Sequence, residues 1–142
     1  MVGFPFIDTS KSKKQLRRFY IDFKNASKWN LKKIHRPRDP QVFNPPALLI
    51  KKGLTTDFEL VSAVSEKRCV FTDSITAIRG TSKQKDLLRS LEGCINSRLF
   101  PYFTLMTGTS TGIEREQAHN EDEKFLFPVL INNEISSSGQ RN

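Results

Sequence analysis

Few residues in this 142-residue chain have the type and spacing that chemistry needs. Two cysteines, Cys69 and Cys94, make neither a disulfide scaffold nor a structural zinc site, and His35 and His119 stand in no metal-ligand spacing. Cys69 follows Lys67-Arg68, neighbours that could lower a thiol pKa, yet no base accompanies it to make a nucleophile. Cys94 sits on an apolar stripe, where cysteine behaves as a small hydrophobe. Glu121-Asp122-Glu123 are consecutive, do not converge on one cation, and read as a solvated loop. There is no phosphate loop of the form G-x-x-x-x-G-K-[ST] and no G-x-G-x-x-G turn. The residues therefore point to a chain that is not an enzyme on its own and holds no metal.

What remains is charge. Lys and Arg number 23 against 15 Asp and Glu, a formal +8, with a pI of about 9.7. Residues 1–53 hold 13 basic and 3 acidic side chains (+10), residues 54–100 hold 7 and 6, and residues 101–142 hold 3 and 6. Such asymmetry is the footprint of a polyanion-binding surface, most often one for nucleic acid. A solvated basic face kept for solubility is the plainer reading of the same charge. No apolar run approaches the roughly 18 residues that span a bilayer. The N-terminus lacks the apolar core of a secretory signal, so a reducing, cytoplasmic setting is expected.

Several elements must position this charge. Leu16, Phe19, Tyr20 and Phe23 fall at helical spacing with Ser10 or Ser12 as N-cap. They predict a short amphipathic helix over about 12–25, its aromatics in the core and Arg17, Arg18 and Lys24 off the apolar face. The stretch Arg36-Pro37-Arg38-Asp39-Pro40 and onward to Pro46 is proline-rich, hence an extended connector. From Ala47 the pattern turns to short strands: 47–53, then 58–67 alternating through Phe58, Leu60 and Val64, then 69–80 with a break near Thr72-Asp73-Ser74. Short links between them predict an antiparallel meander. Over 82–107 an apolar stripe of period 3.6 runs through Leu87, Leu88, Leu91, Cys94, Ile95, Leu99, Tyr102, Phe103 and Met106, with Ser82 as N-cap. Pro101 either ends this helix near Phe100 or opens a second short one. The fold class expected is α+β: a small, mostly antiparallel sheet packed with a long amphipathic helix, and a basic N-terminal helical arm. Residues 1–39 form the arm, 40–131 the main domain, and 132–142 a tail expected to be disordered.

Asn44-Pro45-Pro46 is similar to the [D/N]-P-P-[Y/F] signature of amino-group DNA methyltransferases, but Ala47 takes the place of the stacking aromatic. No glycine-rich cofactor motif precedes it, so these residues are assigned no catalytic role. A broader pattern covers about residues 40–130. Phe43 through Gly53 has the form of a first strand f-x-x-P-x-L-l-i-x-x-g. Leu91 through Tyr102, with Asn96-Ser97, has the form of a helix L-x-x-x-L-N-S-x-l-x-x-y. Arg115 lies in the loop that follows. In this order the segments resemble the TaqI-like C-terminal specificity domain, the target-recognition part of adenine-N6 DNA methyltransferases and of fused restriction–modification enzymes. Ile95 replaces the usual Leu, and Pro101 interrupts a helix that usually runs on.

The resemblance implies a non-catalytic module for sequence-specific recognition of double-stranded DNA. Its partner would be a methyltransferase catalytic domain or subunit using S-adenosylmethionine, for which this chain shows no site. Lys32, Lys33, Arg36, Arg38, Lys51 and Lys52 are the candidate phosphate contacts, since phosphates are held by basic side chains that set register. Arg115, Gln117, His119 and Asn120 share one polar loop and are the candidate base readers, because Arg can clamp guanine and Gln or Asn adenine. Asn96 and Ser97 read as scaffold. The rival expectations are a general RNA- or single-stranded-DNA-binding module, and a basic protein-interaction domain.

Overall fold

The computed structural model describes residues 2–10, 14–30 and 39–107. In chain order the elements are β1 (Pro5–Ile7), β2 (Leu16–Arg17), β3 (Tyr20–Ile21), β4 (Ser27–Lys28), β5 (Ala47–Lys51), β6 (Ser62–Ser65), β7 (Val70–Phe71), β8 (Ile75–Arg79), α1 (Lys85–Ile95) and α2 (Leu99–Thr107). Short 3-10 turns at Pro40–Phe43 and Ser82–Gln84 precede β5 and α1. The molecule is α+β, with small sheets and a helical layer, as its patterning implies.

Ala47-Leu48-Leu49-Ile50 is an unbroken apolar run, and a strand can carry such a run only where both of its faces are covered. That requirement puts β5 in the middle of the main sheet. It is antiparallel to β6 on one side and β8 on the other, with Leu48 opposite both Val64 and Ile78. The three strands are therefore not a meander. Between β6 and β8 the chain leaves the sheet to make β7, which runs parallel to β1 in a second sheet whose far strand is β4. Alternate residues of β5 feed two cores. Ala47 and Leu49 join Ile7, Phe43, Phe71 and Ile75 beneath the N-terminal strands, whereas Leu48 and Ile50 join Leu60, Leu88, Ile95 and Phe100 beneath the helices. The result is three layers: N-terminal β, central sheet, helices.

The expected N-terminal helix is absent from the described part of its span, 14–25. Leu16 pairs with Ile21 across a two-residue loop, Arg18-Phe19, in the hairpin β2–β3. Phe19 has φ 61°, which no right-handed helix accommodates. The organiser is Gln15, 1 % exposed. Its Oε1 accepts the Asp8 N–H (2.7 Å) and its Nε2 donates to the Asn25 carbonyl (2.6 Å), tying three segments of the layer together. Only Leu16 and Ile21 point inward from the hairpin, while Phe19 and Tyr20 stand in solvent rather than in the core. The proline-rich approach to β5 also departs from a plain extended connector. Pro40 opens a 3-10 turn capped by Asp39, whose Oδ1 accepts the Gln41 N–H at 2.9 Å, and the Pro45–Pro46 peptide is cis.

On the helical side Thr81, not Ser82, begins the structure. Its N–H and hydroxyl both donate to Gln84 Oε1, at 2.9 and 3.1 Å. The helix predicted over 82–107 is broken at Asn96-Ser97-Arg98, and Pro101 lies in the first turn of α2, where its missing N–H costs no intrahelical bond. Asn96 and Ser97 serve as scaffold. Asn96, 3 % exposed, accepts the Ser62 N–H and donates to the Ser62 carbonyl, both at 2.9 Å, and Ser97 Oγ donates to the Cys94 carbonyl. One turn earlier Glu92, also buried, accepts the Val64 N–H at 2.7 Å. Two side chains at i and i+4 thus satisfy the outer edge of β6, the edge that would otherwise recruit another strand.

Candidate nucleic-acid interface

Backbone connectivity brings the β2–β3 hairpin to the same end of the main sheet as the 55–59 turn and the end of β5. The Phe19 N–H donates to the Ser62 carbonyl at 3.0 Å, and the Lys51 N–H donates to the Val61 carbonyl at 2.9 Å. The turn itself closes on Thr55, whose carbonyl accepts the Phe58 N–H and whose Oγ1 accepts the Glu59 N–H, both at 3.0 Å. This closure forces Phe58 to φ 56°.

Two phenylalanines thus share an unusual condition. Phe19 is 53 % exposed and Phe58 52 %, and both sit in the left-handed backbone region. Exposure withholds the burial that usually stabilises a Phe, and the left-handed conformation costs about 1 kcal/mol or more for a residue other than glycine. The loops that carry them are lashed together by one ion pair. Arg18, the residue before Phe19, donates Nη1 to Oε1 of Glu59, the residue after Phe58, at 2.9 Å. Its Nη2 reaches the Asn96 carbonyl at 2.6 Å. The Arg18–Glu59–Asn96–Ser62 network therefore holds two exposed rings on one rigid end of the molecule.

Cations surround this end and spread over the N-terminal layer. Lys14, Arg17, Lys24 and Lys28 are exposed and make no ion pair among the described residues. Lys67 lies 5.8 Å from the ring centre of Phe23, and Arg68 lies 4.7 Å from that of Phe4, so the β6–β7 turn adds charge to the same layer. At the opposite end of the sheet two cations are engaged internally. Lys85 and Arg89 both pair with Glu66, and Arg89 also pairs with Glu92. Hydrogen bonds from Lys85 first, then Arg89, hold the exposed Glu66 carboxyl below its ordinary value.

Of the phosphate candidates, Lys51 and Lys52 fall at the hairpin end of the sheet, at the close of β5. Lys52 is partly neutralised, its Nζ 3.5 Å from Asp73 Oδ1. Lys32, Lys33, Arg36 and Arg38, and all four base-reading candidates Arg115, Gln117, His119 and Asn120, lie outside the described residues. In the sequence Arg18 and Phe19 fit a helical pattern and Phe58 a strand pattern, and none of the three carries a mark of a binding residue. Phe58 stands between Asp57 and Glu59 in a polar turn, a weak sign of exposure that the apparent alternation through Leu60 and Val64 masks.

Cys69 lies in the core beneath the N-terminal strands. It is 2 % exposed, and burial raises its pKa against a small opposing effect of Ser65, overriding the basic neighbours in sequence. Among the described residues there is no cluster of His, Cys, Asp or Glu that could hold a metal. No described helix is long and apolar enough to cross a membrane. Comparison of the chain with protein-family models, with curated proteins and with solved structures finds no match.

Proposed function

We propose that this chain is a nucleic-acid-binding module without chemistry of its own. Its target is duplex DNA, read in the cytoplasm as the specificity part of an adenine-N6 DNA methyltransferase or restriction–modification enzyme. The S-adenosylmethionine and the methyl transfer belong to a partner domain or subunit. The observation that carries the reading is the distribution of charge. Seven of the 13 cations of residues 1–53 are described: Lys14, Arg17, Lys24 and Lys28 are exposed on the N-terminal layer and make no ion pair among the described residues, Arg18 pairs with Glu59, and Lys51 and Lys52 close β5, Lys52 beside Asp73. On the helical side Lys85 and Arg89 pair with Glu66 and Glu92, while Lys83 and Arg98 make no ion pair among the described residues. A broad positive layer suits the two phosphate backbones of a duplex. The ordered resemblance of residues 40–130 to specificity domains supports the finer reading, and the Asn96-Ser97 pair of that pattern is built into the scaffold.

A second reading has its own observation. Exposed Phe19 and Phe58, held by the Arg18–Glu59 clamp, are the kind of platform on which unpaired bases stack. Competition binding separates the two. A labelled random-sequence duplex bound at about 50 mM salt should be displaced by unlabelled duplex at least ten-fold more effectively than by single-stranded DNA or RNA of equal length. Equal or better displacement by single strands would overturn the duplex reading in favour of the stacking one.

A further inference from the structure

The 55–59 turn and the start of α2 enclose a groove of about 440 Å³, lined by Asp57, Phe58, Glu59, Arg98, Pro101 and Tyr102. Small-molecule sites span about 300–1,000 Å³, so the groove is large enough to hold one. Its two aromatic side chains are open to solvent, Phe58 at 52 % and Tyr102 at 61 % exposure. The turn that carries Phe58 is fixed by its Thr55 bonds and by the Arg18–Glu59 pair, so a ligand spends little on ordering it. The charges are arranged unusually. Glu59 is occupied by Arg18. Asp57 and Arg98 are exposed, opposite in sign and line the same groove. Yet they pair neither with each other nor with any other described residue. With Arg18 counted, Asp57 and Glu59 balance the two arginines. The groove thus has no net charge, and it keeps a free acceptor and a free set of donors beside two rings.

We propose that this groove binds a guanine base. An uncharged ligand suits a site without net charge, and a planar one suits exposed Phe and Tyr rings, on which any base stacks for about 1–3 kcal/mol. The two charged side chains then choose among bases. Among the four DNA bases only guanine sets two N–H donors side by side, at N1 and N2, so that one carboxylate accepts from both. Its O6 and N7 take the two-pronged donation of an arginine. Adenine and cytosine offer a carboxylate one amino group only. Asp57 accepts from N1 and N2, and Arg98 donates to O6 and N7. The base belongs to a free nucleoside or to an unpaired nucleotide of a strand, and the guanine edge is common to both. The inference goes beyond the duplex reading and does not depend on it.

Backbone amide shifts of the full chain, titrated with guanosine, inosine and adenosine, test it. Inosine differs from guanosine only in lacking the 2-amino group. Guanosine should bind roughly ten-fold more tightly than either and move the amides of 57–59, 98 and 102. Asp57→Asn should bring guanosine down to the level of inosine, because an amide no longer accepts from both N–H groups. Arg98→Gln should weaken guanosine and inosine together, since both carry O6 and N7. Both side chains are exposed and unpaired among the described residues, so the variants keep the fold. A short all-thymine strand with and without one guanine identifies the source. A similar gain from that guanine assigns the groove to an unpaired nucleotide, and a guanosine preference without such a gain assigns it to a free nucleoside. Equal binding of the three nucleosides with no gain in the strand, or a guanine preference that survives Asp57→Asn, would overturn the proposal. Two strands bound equally well, with no response to guanosine, would overturn it while leaving the nucleic-acid reading in place.

Discussion

At the scale of single residues, the polar groups around Ser62 decide how the interface end is held. Asn96 is the sole side chain bonded to the Ser62 N–H, so Asn96→Ala strands a buried donor and should destabilise the protein by about 2–3 kcal/mol. The Ser62 hydroxyl itself is buried without a hydrogen-bond partner, so Ser62→Ala should be neutral or stabilising, within about 0.5 kcal/mol. Urea unfolding of the two variants side by side checks the contrast. Phe19→Gly separates folding from binding. Glycine relieves the left-handed strain and should leave stability unchanged or raise it by up to about 1 kcal/mol. If the ring stacks on a base, the same change weakens binding by about 1–3 kcal/mol. A variant that is at least as stable and still binds at parental affinity would remove Phe19 from the interface. The scaffold role of Asn96 and Ser97 was legible in the sequence, because a polar pair on an apolar stripe must find backbone partners. Gln15 was not legible: nothing local marks a glutamine as buried when its partners, Asp8 and Asn25, come from different segments.

At the scale of elements, packing decides between competing periodicities. Leu16, Phe19, Tyr20 and Phe23 satisfy a helical spacing, yet Leu16 and Ile21 satisfy a hairpin register equally well, and the Gln15 bonds favour the hairpin. The strand at 47–51 could be read because an unbroken apolar run with a closing glycine has few alternatives. Its neighbours could not, since β7 leaves the sheet for a partner 64 residues upstream of Val70, Phe6. The junction of β8 with α1 is tight. A Cβ on Gly80 would meet Leu88 Cδ1 at 2.9 Å, and Leu88 is itself fully packed at 2 % exposure. Gly80→Ala should therefore cost about 1–2 kcal/mol of overpacking, read as a lower urea midpoint at unchanged slope.

The β6–β7 turn is tied to α1 through Glu66, whose folded pKa lies below its ordinary 4.5. A depressed carboxylate stabilises the fold above the ordinary value, and that contribution disappears as pH falls through the lowered one. The melting-temperature difference between the parent and Glu66→Gln should accordingly be small at neutral pH and shrink toward zero below about pH 4. A difference that grows on acidification would contradict the pairing with Lys85 and Arg89.

At the scale of the whole molecule, charge and layering act together. The sequence localises the +10 to its first 53 residues, and the fold sets Lys14, Arg17, Lys24 and Lys28 on the N-terminal layer and Lys51 and Lys52 at the end of β5, while internal ion pairs occupy Lys85 and Arg89 on the helical side. Class and charge asymmetry were therefore readable in advance. The layer order and the two strained phenylalanines were not, because both arise from contacts between segments far apart in the chain. The central claim is that this layer holds a polyanion. Its most direct test is the equilibrium affinity of the full chain for a random-sequence DNA duplex between about 50 and 200 mM salt. Engagement of four or more phosphates predicts a log–log slope of about −3.6 or steeper. Slopes near zero, or no binding at 50 mM salt, would contradict it.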